Sequence, residues 1–124
     1  MAVRYINQID IPFPADGYLD YKDYFRTAPE VAAELTQTLS GFFMQLHFPQ
    51  PDFGGMLTLT QNAGAPSSDG VQRVIFDLDV FKDGMIINGE EWDLLETLRN
   101  RKNEFFEGSV TDKARALFGK GEEY

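Results

Sequence analysis

Asp77 and Asp79 stand two residues apart in Val71-Gln72-Arg73-Val74-Ile75-Phe76-Asp77-Leu78-Asp79-Val80-Phe81, a run with strand-like alternation. Strand geometry puts both carboxylates on one face, about 6–7 Å apart. Two acids so placed can share a divalent cation with a substrate phosphate, given further oxygen ligands and a cleft. The same pattern arises on a solvated sheet face, with Arg73 balancing the charge. That plainer reading is the stronger one. His47 is the one imidazole in the chain. It alternates outward beside Gln45 on a second strand-like run and can meet the same face. A lone His without cysteines builds no nitrogen/sulfur zinc site, and a catalytic triad needs geometry that spacing does not supply. His47, Thr58, Thr60, Arg73, Asp77 and Asp79 are therefore candidate ligand-binding residues of a polar sheet face. No catalytic residue, metal ligand or cofactor is assigned.

Other motifs carry less. Ser67 and Ser68 lie in Asn62-Ala63-Gly64-Ala65-Pro66-Ser67-Ser68-Asp69-Gly70, where serine is a turn former. Asp52-Phe53-Gly54 spells the kinase magnesium tripeptide without a Gly-rich loop or strand lysine around it, so it is a coincidence. Gly54-Gly55 and the stretch from Gly64 to Gly70 match neither a phosphate loop nor a dinucleotide fingerprint. Arg99, Arg101, Lys102 and Asn103 form a basic cluster flanked by Glu96, Glu104 and Glu107, which reads as a solvated helix face. Tyr18, Tyr21, Tyr24 and Phe25 recur at helical spacing. Aromatics are enriched at interfaces, but core packing is the commoner use. Tyr18, Tyr21 and Trp92 are the interface candidates.

Composition sets the frame. The chain has 124 residues, 11 Lys plus Arg against 20 Asp plus Glu, a net charge of −9 and no cysteine. Its 11 Phe, 5 Tyr and one Trp supply apolar burial that a disordered chain lacks. The acidic balance disfavours nucleic acid and anionic lipid, and no apolar run is long enough to span a bilayer. The expectation is one α+β domain over residues 1–119, cytoplasmic, with a tail from Lys120 to Tyr124 that frays.

The elements that must position the candidates follow from periodicity. Val3 to Ile11 alternates as a strand, ended by Pro12 and Pro14. Residues 16–27 predict a short helix capped by Asp16. Pro29 then opens a second helix, with Val31, Leu35 and Leu39 in one stripe. Phe42, Met44, Leu46 and Phe48 share one strand face, before the turn chemistry of Pro49 to Gly55. Leu57 and Leu59 point inward on the next strand. Val74, Phe76, Leu78 and Val80 do so on the strongest one. Asn88 looks like the N-cap of a long helix with Trp92, Leu94, Leu95, Leu98, Phe105 and Phe106 on its apolar face, ended by Gly108. Thr111 caps a last short helix. The order β-α-α-β-β-β-α predicts an antiparallel sheet of four or five strands, with helices mainly on one face.

Arg4-Tyr5-Ile6-Asn7-Gln8-Ile9, Asp23-Tyr24-Phe25-Arg26-Thr27, Phe76-Asp77-Leu78-Asp79-Val80 and Phe106-Glu107-Gly108-Ser109-Val110-Thr111-Asp112-Lys113 follow one another in an order with a known parallel. The chain resembles the C-terminal half of a sporadically distributed, uncharacterised prokaryotic protein family, from Arg4 to about Phe118. It departs from that family at Leu98-Arg99, where members show a Leu-His step, and at Gln8, where a basic residue is common. The resemblance implies no activity, cofactor or catalytic residue. It does imply a partner in the form of an N-terminal half.

Three functions fit these observations. A noncatalytic interaction domain comes first, docking a protein partner, a missing N-terminal half or further copies of itself. A small-molecule or nucleotide-binding module using the polar sheet face is the alternative. A metal-dependent enzyme using Asp77 and Asp79 is third.

Overall fold

The computed structural model describes residues 1–12, 19–30, 32, 41–64, 70–84, 89–117 and 122–123. Five strands, β1 (Ala2–Pro12), β2 (Phe42–Gln50), β3 (Gly55–Ala63), β4 (Val71–Phe81) and β5 (Glu122–Glu123), form one sheet in the order β2-β3-β4-β1-β5. Every pairing is antiparallel. The long helix α1 (Glu91–Ser109) lies over β4 and β1, and the single turn α2 (Asp112–Arg115) follows it. The architecture is α+β, as the periodicity implied.

Alternation sorts the strands into two faces. Val3, Ile9, Ile11, Leu57, Leu59, Val74, Phe76, Leu78 and Val80 are buried on the helix side, together with Leu98 of α1. Phe106 of α1 meets Tyr5 edge-on at 5.3 Å, and Phe105 meets Phe48 at 5.1 Å. The β2–β3 hairpin turns through Pro51-Asp52-Phe53-Gly54. Gly54 adopts φ 71°, a left-handed conformation that a side chain would strain. Gly55 enters β3 so close to β4 that a Cβ there would lie 2.3 Å from the Phe81 carbonyl oxygen.

Several expectations need correction. The helix expected over 16–27 is only a 3-10 turn, Tyr21–Asp23, within the described residues; Asp20 caps it by accepting from the Lys22 N–H at 3.0 Å. The chain then leaves helical geometry because the α1–α2 junction takes its backbone groups. Arg26 N–H donates to the Ser109 carbonyl at 2.8 Å, and Thr111 N–H donates to that of Tyr24 at 3.0 Å. Phe25, fully buried, forms a β-bridge to Val110 and stacks on Phe76 at 5.5 Å. The helix expected from Pro29 falls mostly outside the described residues, and Pro29, Glu30 and Ala32 are not helical.

Asn88 also lies outside the described residues. The N-cap of α1 is Glu90, whose side chain makes no capping bond, while Glu91 reaches back to accept from the Gly89 N–H at 2.9 Å. Trp92 was expected on the buried stripe and is 78% exposed. It sits in the first turn of α1, and the packed stripe begins with Leu94 and Leu95. Lys102 fills the buried face instead, 5% exposed, with its ammonium 4.9 Å from the Tyr5 ring centre. The basic cluster is thus not uniformly solvated. Arg101 is committed as well, donating to Asp52 at 2.5 Å and to the Gln50 side-chain oxygen, above the Phe53 ring. Its guanidinium holds the Asp52 carboxyl below the usual carboxylate range. The Asp-Phe-Gly tripeptide is therefore a hairpin clasp. Thr111 does cap α2, accepting from the Ala114 N–H.

Candidate functional site

The side of the sheet turned away from α1 gathers the polar candidates. Pairing register puts His47 opposite Thr58, Thr58 opposite Asp79, and Asp79 opposite Arg4. The next row on this face runs Gln45, Thr60, Asp77, Ile6. Five of the six candidate ligand-binding residues thus stand in two adjacent rows. Arg73 does not join them. It lies beyond the intervening Ile75, where it pairs with Asp10 at 3.0 Å.

Charges within the rows are unequally matched. Arg4 clasps Asp77 with the Nε/Nη2 edge of its guanidinium, Nη2 to Oδ2 at 2.7 Å and Nε to Oδ1 at 3.2 Å. Arg4, not Arg73, balances this acid, because diagonal neighbours across an antiparallel pair are within reach of a long side chain. Asp79 is partly buried between Thr58 and Arg4. Among the described residues its Oδ1 has no hydrogen-bond partner. Burial raises its carboxyl pKa; the attraction of Arg4 opposes that shift, and repulsion from Asp77 adds to it. The polar rows are otherwise stitched pairwise. Thr58 Oγ1 and His47 Nδ1 are 3.3 Å apart, and Gln45 Nε2 donates to Thr60 Oγ1 at 3.2 Å.

Apolar side chains surround these rows on the same face. Ile6, Ile75, Met56 and Phe81 are partly exposed. Phe43, opposite Asn62 on the row of Ile75, is 65% exposed. Open faces of antiparallel sheets ordinarily alternate to polar residues, so this mixture is distinctive. Neither Arg4 nor Phe43 was among the sequence candidates. Alternation alone turns both outward, but register is needed to bring Arg4 to Asp77 and Phe43 to Ile75.

The interface candidates separate. Tyr21 is 5% exposed and packs edge-on against Phe42 at 4.9 Å, so it serves the core. Trp92 stands in solvent on α1. Tyr18 lies outside the described residues.

A cation bridging Asp77 and Asp79 would have to displace the Arg4 guanidinium. Among the described residues, no three His, Cys, Asp or Glu side chains converge to hold a metal ion. No described helix is long and apolar enough to cross a membrane. In comparisons with known proteins, no family model, no curated protein and no solved structure matches the chain.

Proposed function

We propose that this chain is a noncatalytic binding domain that docks a protein partner on the open face of its sheet. The observation that carries the reading is the make-up of that face: exposed Phe43 and partly exposed Ile6, Ile75, Met56 and Phe81 around the row His47–Thr58–Asp79–Arg4. Protein interfaces combine apolar and aromatic contact with a few polar groups that fix orientation. Exposed His47 and Arg4 supply such groups; the unpartnered Oδ1 of Asp79 is itself buried in the face. With a net charge of −9, the domain favours a partner whose contact surface is basic or neutral. An N-terminal half, as the family resemblance implies, would be a partner of this kind.

The polar rows also support the second reading, a small-molecule or nucleotide site centred on Asp79 and His47. Thermal denaturation with magnesium, manganese and a panel of nucleotides separates the two. A ligand binding the folded state at a hundred times its Kd stabilises by about 2.7 kcal/mol, a shift that is easily read. The docking reading expects a flat response. A shift abolished by Asp79→Asn would transfer the face to the small-ligand reading.

A further inference from the structure

Strand β2 ends the sheet, paired with β3 alone among the described strands. Edge strands present unpaired N–H and C=O groups, and proteins ordinarily blunt them with charge, proline, bulges or cover. The opposite edge follows that practice. There β1 carries Arg4, Asp10 and Pro12, and β5 sits against Tyr5 and Ile6 with two glutamates. β2 follows it only near its end, where Pro49 stands. Its nine residues, Phe42-Phe43-Met44-Gln45-Leu46-His47-Phe48-Pro49-Gln50, include no Asp, Glu, Lys or Arg, in a chain that is 25% charged.

We infer that the occupant of this edge is a second copy of the chain, joined by antiparallel pairing of β2 with β2 across a twofold axis at Gln45. This inference is independent of the docking reading of the open face. Charge supports the choice. Two bodies of net charge −9 repel across most approaches, and β2 lets them meet without setting like charges opposite each other.

Pro49 fixes the hydrogen-bonding side. A proline fits an edge strand with its nitrogen turned away from the ladder. Backbone direction alternates along a strand, so Phe43, Gln45 and His47 turn their N–H and C=O groups outward with it. An axis at Gln45 makes these groups meet. Phe43 exchanges both backbone hydrogen bonds with His47 of the second copy, and Gln45 does so with its own counterpart. Pro49 stays outside the new ladder. The faces match as well. Phe42 comes opposite Phe48 of the second copy and Met44 opposite Leu46, all on the helix side, where each is only partly buried in one chain. This is an isologous contact, which closes at a dimer.

Sedimentation equilibrium of the full chain tests the proposal directly. The expected species has twice the 14.1 kDa chain mass. Gln45→Lys sets two ammonium groups against each other on the axis and is expected to give monomer with unchanged circular dichroism. Mixing Gln45→Lys with Gln45→Glu is expected to restore the dimer as a one-to-one pair, which a misfolded variant does not do. The chain has no native cysteine, so Gln45→Cys reports the axis cleanly. Cα atoms in a hydrogen-bonded pair lie about 5.5 Å apart, within disulfide range, and oxidation is expected to yield a covalent dimer. Exposed Glu96→Cys on α1 is expected not to. Monomer mass up to millimolar chain would overturn the inference, as would a dimer that survives Gln45→Lys or a mixture that stays monomeric.

Discussion

Leu98→Ala and Trp92→Ala, compared in one thermal denaturation series, examine how α1 sits on the sheet. Both residues belong to the apolar face expected of this helix; the structure separates them, with Leu98 fully buried and Trp92 78% exposed. Truncating a buried leucine removes its transfer free energy and leaves a cavity, costing about 2–5 kcal/mol. At about 2.1 cal/mol/K per residue, unfolding 124 residues carries about 0.26 kcal/mol/K, so each kcal/mol moves Tm by about 4 °C. Leu98→Ala should therefore lower Tm by about 8–20 °C. Trp92 keeps about a fifth of a roughly 250 Å2 surface covered, worth about 1 kcal/mol as an upper limit. The better helix propensity of alanine returns about half of that. Trp92→Ala should lower Tm by less than about 4 °C. Equal losses, or a larger one at Trp92, would refute the orientation of the helix.

Three further outcomes follow from individual contacts. Asp79 has its folded pKa raised by burial, so its contribution to stability is full below the unfolded value of about 3.9 and is lost as pH rises through the folded pKa. Asp79→Asn should thus be more stable than the parent chain at neutral pH, with the advantage shrinking in acid; urea titrations at several pH values would expose a reversed sign. Asp52 has the opposite shift, so its contribution is present above the unfolded pKa and lost as pH falls through the folded one. Arg101→Met should erase that acid-side loss, and an unchanged pH profile would count against the clasp. Thr111→Ala removes the cap of α2 and the Oγ1 donor to the Asp23 carbonyl at 2.7 Å, at a cost of about 1–2 kcal/mol in chemical denaturation. A neutral result would mean that the 20–27 segment is held without it.

The sheet was legible because period-two alternation survives burial on one face: Leu57, Leu59, Val74, Phe76, Leu78 and Val80 all point where their spacing puts them. The 20–27 segment was not legible. Its aromatics recur at helical spacing, yet Tyr24 and Arg26 hydrogen-bond to Thr111 and Ser109, more than eighty positions away, and hold Phe25 between them opposite Val110. Lys102 reads as solvated because charge forecasts exposure, while its stem lies along the core and its ammonium over Tyr5. At the candidate site, alternation put His47, Thr58, Thr60, Asp77 and Asp79 on a common face. Which acid is paired and which is left with a free oxygen depended on where Arg4 falls in register. That is a property of strand pairing, and no single strand carries it.

The docking face is tested most directly by a photoreactive amino acid at Thr60, in the middle of the open face, in the cells that make the protein. A discrete adduct with a second protein is expected, lost in Asp79→Ala and in Phe43→Ala. None is expected from the same probe at Glu96 on α1. Adducts of equal yield and identity at both positions, or none at Thr60, would contradict the docking reading.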